Sequence, residues 1–241
     1  MRFASLAAAA ALLIAPMTVP TTAWAADLTS EIAALRDKAL ADPTAWDVLE
    51  SLTTEVGARP TGSPAMIRAR DWGVAKLKAL GFSNVRVETF EAGAWLRGAE
   101  QAEVVAPYPQ TLAILGLGRS APTPKGGIEA EIVVFGSLDD LIAQPPGALK
   151  GKIAVVNQPM LRAQDGAGYG AVNRARTQGA AEASRRGAVA YLTRSSSTDD
   201  TRLPHTGAMR QATDAPAIPA AALSPPDAEL LARMAARGQP V

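Results

Sequence analysis

The sequence predicts a mixed α/β protein, helical at first and strand-rich afterwards, and three observations carry that reading. Between residues 27 and 81, apolar side chains recur at helical spacing. From residue 103 to 156, short β-type runs are divided by Pro- and Gly-rich turns. The rest of the chain reads helix, strand, strand, helix, which suggests one βαβ-type connection within a mostly β module.

The chain opens MRFASLAAAAALLIAPMTVPTTAWA, with Arg2 before an apolar run from Leu6 to Ile14 and small residues around Ala23-Trp24-Ala25. That order of charge, apolar run and cleavage site is an export signal over residues 1–25. The run is too short to span a bilayer, and no later segment approaches the ~20 apolar residues a transmembrane helix needs. Two helices follow, with Ile32, Leu35, Leu40, Trp46, Leu49 and Leu52 as the expected buried set. Pro43 suits the first turn of the second helix with Asp42 as its cap, and Gly57 and Pro60 stop it. A third helix starts at Ser63, takes Pro64 in its first turn and ends at Gly81. NVRVETFEAG then alternates Val85, Val87 and Thr89 against Arg86, Glu88 and Phe90, the pattern of a strand.

Beyond Gly98 the texture changes, so a domain boundary is expected there. The runs EVVA, TLAILGLG, IEAEIVVFG and KGKIAVV read as strands, NRARTQGAAEASRRG as a helix, AVAYLTR and IPAAALS as strands, and PPDAELLARMAARG as a helix. The last residues, GQPV, follow a helix stop at Gly238, where another strand is expected to begin.

Composition excludes several function classes. With 24 basic and 23 acidic side chains, net charge offers no reason to expect nucleic acid or an anionic membrane as partner. Without cysteine there are no disulfides, no thiolate chemistry and no lipid-modified cysteine anchor. The single histidine, His205 in LPHTG, has no second imidazole to join in a zinc site. A site of His205 with the carboxylates Asp199, Asp200 and Asp214 is conceivable, but aspartates in a Ser/Thr-rich loop are expected to shape turns. As a general base, His205 could serve Ser195, Ser196, Ser197 or Ser63, yet no G-x-S-x-G elbow exposes a serine nucleophile. The preferred reading is a turn whose imidazole bonds loop backbone.

Two glycine-rich stretches invite nucleotide readings. Gly116-Leu117-Gly118-Arg119-Ser120-Ala121 matches G-x-G-x-x-A, but Pro122 and Pro124 follow at once, leaving no helix to hold a pyrophosphate. Asp165–Ala171, DGAGYGA, could cradle phosphate but lacks the Lys-Ser ending of a P-loop, so a surface loop is expected. Arg174, Arg176, Arg185 and Arg186 are read as a solvent-facing helix surface interrupted by Glu182. The residues alone thus assign no catalytic, cofactor-binding or metal-binding position.

Several stretches together carry a family likeness: ARPTGSP, Trp95-Leu96-Arg97-Gly98, AILGLG followed by TP, GIEAEIVVF, KGKIAVVNQP, RTQGAAEASRRGA, PHTG and IPAAALSPPDAELLARM. In this order they resemble the carboxypeptidase Q-like zinc exopeptidases of metallopeptidase family 28. That resemblance implies an α/β sandwich interrupted by an inserted β-rich protease-associated domain. Residues 27–98 would be the N-terminal part of the peptidase domain, its opening helices and first strand, and residues 99–241 the protease-associated-like insert. It also implies two zinc ions bridged by an aspartate, a glutamate as general base, peptides as substrates and a homodimer. Those zinc-binding motifs lie downstream of the insert, so the resemblance places the catalytic remainder beyond this sequence and expects no zinc on this chain. His205 would then be an insert residue with a structural, rim or subunit-contact role. Two functions follow as expectations: the N-terminal part of an exported carboxypeptidase or dipeptidase, or a non-catalytic module that binds peptide or pairs with a subunit.

Overall fold

The computed structural model describes residues 21–241, with side chains from residue 28 onward. Residues 1–20 of the expected export signal lie outside the described residues. The described residues divide into two compact units, the first ending at Phe90 and the second spanning Glu91–Val241.

The first unit is helical. Helix α1 spans Thr21–Ala41, α2 spans Thr44–Ser51 and runs into a wider π-type turn over Leu52–Val56, and α3 spans Pro64–Ala79. Most of the expected punctuation is in place, but Pro43 rather than Asp42 stands at the N-cap of α2, with no side-chain cap bond. Asp42 Oδ1 accepts from Thr44 N–H at 2.8 Å, and hydrogen bonds with the Thr44 side chain and then its backbone hold the carboxyl below its usual range. Ser63 caps α3, its Oγ accepting from Met66 N–H at 3.3 Å, and Gly81 takes a positive φ of 85° at the stop. Helices α2 and α3 are tied by Trp72 Nε1–H, which donates to Ser51 Oγ at 2.8 Å.

Two expectations for this unit are corrected. The face marked by Ile32, Leu35, Leu40, Trp46 and Leu49 is not buried: Leu35 is 68 %, Leu40 79 % and Trp46 66 % exposed, and Leu52 is half-buried. Within residues 28–90, Val56 and Ala65 are the buried apolar side chains, because three helices with few mutual contacts make no layer for that face to cover. The strand expected over residues 84–93 is not one either. The segment lies outside every sheet, with Phe90 86 % exposed, because alternation supplies a face while a strand also needs a ladder partner.

The second unit is built on a five-stranded sheet. Strands β1 (Ala102–Val104) and β2 (Gln110–Leu112) form an antiparallel pair across the APYP turn. Strands β3 (Ile114–Gly116), β4 (Ile132–Phe135), β5 (Ile153–Val156), β6 (Ala190–Arg194) and β7 (Ala220–Leu223) make the main sheet in the order β3-β7-β6-β5-β4. β4, β5, β6 and β7 run parallel, and β3 closes one edge antiparallel to β7. On the other edge, the Val241 carbonyl accepts from Ile132 N–H at 2.9 Å.

Each parallel step needs a crossover, and the helices supply two of them. α4 (Leu138–Ile142) links β4 to β5, α5 (Tyr169–Arg185) links β5 to β6, and α6 (Pro225–Ala235) follows β7. Alternate strand residues face opposite layers. Ala154, Val156, Tyr191, Ala220 and Ala222 pack with Leu138, Leu141, Ala175, Ala180 and Ala183 of α4 and α5. Val155 and Leu223 pack with Ala228, Leu231 and Met234 of α6 and with Val104 and Leu112 of the β1–β2 pair. This unit is therefore a helix-covered α/β layer structure with two βαβ connections, where the sequence suggested a mostly β module with one. The five-residue α4 had no periodic signal long enough to find.

Candidate functional site

Strand β3 has one edge on β7 and the other open, and three of the motif stretches converge on that open edge at Gly116. Its N–H donates to Glu100 Oε2 at 2.8 Å. Its carbonyl accepts from Thr206 Oγ1–H at 2.9 Å and from Arg97 Nη1. Arg97 also pairs with Glu100 at 2.9 Å and lies over the Trp95 ring at 5.0 Å from its centroid, while Trp95 Nε1–H donates to Ser120 O at 3.1 Å. WLRG, GLG and PHTG thus form one clasp over the exposed backbone of an edge strand, the groups that otherwise invite unwanted pairing. A glycine at its centre lets both side chains reach the backbone. A Cβ at Gly116 would stand 3.1 Å from Glu100 Cδ and 3.2 Å from Arg97 Nη1. From Thr206 the chain continues along this edge: Gly118 N–H donates to Gly207 O and Met209 N–H to Gly118 O, both at 2.9 Å. The sequence reading of GLG as a glycine turn missed the clasp. Its signals were a glycine at the end of a strand run and the opposite charges of Arg97 and Glu100 three residues apart.

His205 sits at the start of this segment, and its partners are those of a turn. Its backbone N–H donates to Ser195 Oγ at 2.8 Å, and its Nδ1 lies 3.2 Å from Ser196 O, a contact that requires the ring proton on Nδ1. Ser195 Oγ–H is itself donated to Leu223 O at 2.6 Å, and the residue is only 1 % exposed. The Ser195 proton is committed to the Leu223 carbonyl and its Oγ meets the His205 backbone rather than the imidazole, so this pair is not arranged as nucleophile and base. Ser197 accepts from Asp199 N–H at 3.0 Å, and Ser63 belongs to the first unit as the α3 cap. Asp214 is engaged elsewhere: the Arg185 guanidinium, bonded at 2.7 Å, holds its carboxyl below the usual range.

The other sequence candidates also resolve into structure. No helix follows Gly118, and Arg119 adopts a positive φ of 72°. In DGAGYGA, Asp165 Oδ1 accepts from Ala167 N–H at 3.0 Å, an Asx turn that leads into α5. Of the four arginines read as a solvent face, Arg174 pairs with Asp139, Arg185 with Glu182 and Asp214, and Arg186 with Glu182. Arg176 differs, bonding only the neutral oxygens of Tyr169 and Asn173. At the carboxyl end of β7, Asp227 is buried and accepts from Ala113 N–H at 2.6 Å, and Arg202 pairs with it at 3.1 Å. Together with Gln110, Thr111, Pro226 and Leu230 they line an open depression of about 500 Å³.

The donor set does not fit a zinc centre. Among the described residues no three His, Cys, Asp or Glu side chains come together to hold a metal ion. Nor is any described helix long and apolar enough to cross a membrane.

No family model matches the chain. Individual proteins do. Carboxypeptidase Q of Bos taurus is 39 % identical over 193 residues, which is 80 % of this chain and 39 % of that protein. Carboxypeptidase Q of Xenopus laevis is 37 % identical over 212 residues, 88 % of this chain and 44 % of that one. Among solved structures, a peptidase M28 precursor from Shewanella amazonensis superimposes with a TM-score of 0.83 at 41 % identity, over 89 % of this chain and 49 % of its own. The zinc aminopeptidase BSAP of Bacillus subtilis shares the fold, with a TM-score of 0.56 at 20 % identity. The chain spans between about two-fifths and one-half of the length of these relatives. Identity at this level along four-fifths of its residues, on a common backbone, makes this chain a homologue of carboxypeptidase Q and of the M28 peptidase.

Proposed function

We propose that this chain belongs to an exported zinc-dependent exopeptidase of the carboxypeptidase or dipeptidase type, which hydrolyses small peptides with a metal-activated water. The observation that carries the reading is the 39 % identity to carboxypeptidase Q over 193 residues, joined to the TM-score of 0.83 with an M28 peptidase. In this reading residues 1–25 are the export signal, residues 27–98 open the peptidase domain, and residues 99–241 are the protease-associated-like insert. The two zinc ions are held by residues other than those described, since no described donor set suits them. What the described residues contribute is scaffold: a parallel sheet, a clasped β3 edge and loops at its carboxyl end. A homodimer is the expected particle.

Intact mass, zinc content and dipeptide hydrolysis of the native exported protein test this together. The expected result is a mass about twice that of this chain, as its coverage of the relatives implies, with about two zinc equivalents and hydrolysis that a chelator abolishes and zinc restores. A mass matching residues 26–241, with neither zinc nor hydrolysis, would overturn it in favour of a non-catalytic binding or subunit-pairing module.

A further inference from the structure

Asp165 is the one aspartate in the sequence that a glycine follows, and no asparagine has that neighbour. Its carboxyl carbon and the Gly166 nitrogen are the two atoms that a five-membered cyclic imide would join, and glycine brings no side chain to hinder the closure. The fold leaves this pair accessible. Asp165, Gly166 and Ala167 are exposed, and Gly166 takes a positive φ of 72° with open space where a Cβ would stand. The fold also bends the side chain the required way. Asp165 Oδ1 accepts from Ala167 N–H at 3.0 Å, which curls the carboxyl back over the Gly166 peptide. The same N–H points at the oxygen on which negative charge gathers as the ring closes. One contact opposes the closure: Gly166 N–H donates to Ala163 O, at 3.3 Å a long bond on an exposed turn. Elsewhere the residue after aspartate carries a side chain. Asp42 precedes Pro43, whose nitrogen has no proton to lose, and Asp47, Asp71, Asp139 and Asp140 lie inside helices that fix their backbone.

We propose that Asp165-Gly166 is a site of aspartate isomerisation in the folded protein, a modification that needs only water. The Gly166 nitrogen attacks Cγ of the protonated Asp165 carboxyl. The Cγ–N bond forms as Cγ–Oδ2 breaks, and Oδ2 leaves as water, taking the carboxyl proton and the proton of Gly166 N–H. A solvent water then adds to the main-chain carbonyl carbon of Asp165 in the cyclic imide. The bond from that carbon to the Gly166 nitrogen breaks, and one proton of the water goes to the nitrogen. The product is isoaspartate, equal in mass to the parent, with the chain running through Cγ. It lengthens the backbone by one carbon at the turn where Tyr169 N–H donates to Gly166 O at 2.9 Å, the entry to α5. The chemistry is independent of the peptidase reading, so either can fail without the other.

The test holds the folded 241-residue chain in warm, mildly acidic buffer below its melting temperature, beside a synthetic peptide of residues 163–174. Arginine-specific digestion after Arg162 and Arg174 releases the same segment from the protein, and electron-transfer fragmentation distinguishes isoaspartate from aspartate. The expected result is isoaspartate at position 165 before any other aspartate, forming no more slowly than in the free peptide. Gly166→Ala should slow it several-fold, because a methyl group then crowds the attacking nitrogen. Asp165→Glu keeps the charge on this exposed turn but would need a six-membered ring, so its isomer should be absent. Should Gly166→Ala fail to fold, the comparisons of the parent with the peptide and with Asp165→Glu decide. A folded chain that isomerises several-fold more slowly than the peptide, isoaspartate first at another aspartate, or an unchanged rate in a folded Gly166→Ala would overturn the proposal.

Discussion

Gly179 lies midway along α5, where helix propensity alone favours alanine by about 1 kcal/mol. The structure predicts the opposite outcome for Gly179→Ala. A Cβ at this position would sit inside contact distance of Tyr191 Oη and Cζ, with Cε1 at 2.8 Å. Tyr191 is 0 % exposed and its hydroxyl donates to Ala175 O at 2.9 Å, so the ring has no empty space to enter. Overpacking of this kind costs about 1–3 kcal/mol. Displacing the hydroxyl from its buried acceptor costs about 1–3 kcal/mol more. Set against the propensity gain, the net effect is a loss of about 3 kcal/mol in urea denaturation, seen as a lower midpoint at an unchanged slope. Leucine at 191 removes the atoms that collide, so in a Tyr191→Leu background Gly179→Ala should turn neutral or stabilising. The coupling between the two sites is then about 3 kcal/mol. A stabilised Gly179→Ala in the wild-type background, or additive effects in the cycle, would refute the claim that the approach of α5 to β6 is set by this glycine.

Burial pushes the Tyr191 phenol well above its ordinary range, so the folded state excludes a phenolate that the unfolded chain forms. Stability should be fully present below about pH 10 and decline as pH rises past it, with Tyr191 ionising only on unfolding; Tyr191→Phe should flatten that alkaline decline in stability measured by urea melts. Gly116→Ala should destabilise by about 1–3 kcal/mol in the same assay, because Glu100 and Arg97 must leave the β3 backbone. The effect should shrink in a Glu100→Ala background, which has already opened the clasp; an unchanged effect there would count against it. Ser224 is buried and its Oγ accepts from Asp227 N–H at 3.2 Å at the start of α6, so Ser224→Ala should cost about 1 kcal/mol while Ser224→Asn or Asp retains part of the cap if the space allows; an Ala variant as stable as the parent would show that Asp227 alone holds the helix start.

What the sequence revealed and what it hid divide along physical lines. Helix ends were legible where caps are local chemistry: Ser63 and Gly81 act within a few residues of their own positions. The strands of the main sheet were legible because runs such as KIAVV are buried on both faces and need no alternation to declare themselves. The strand at 84–93 and the buried set from Ile32 to Leu49 fail for a common reason. Periodicity says that a face is apolar or a backbone extended, and burial or pairing depends on a neighbour that periodicity does not name.

The candidate chemistry obeys the same division. His205 could be read as a turn residue because its partners, Ser195 and Ser196, lie within ten positions in the chain. The Gly116 clasp joins residues 97, 100, 116 and 206, and no short window holds them all. Yet this is where WLRG, GLG and PHTG meet, three of the stretches whose order carried the family likeness. The stretches that carried the likeness in the sequence are thus in part residues that seal the open edge of its sheet, a structural requirement. Residues in such a role hold no catalytic atom, and the proposed peptidase chemistry is to be tested with a metal and substrate assay rather than by inspecting those stretches further.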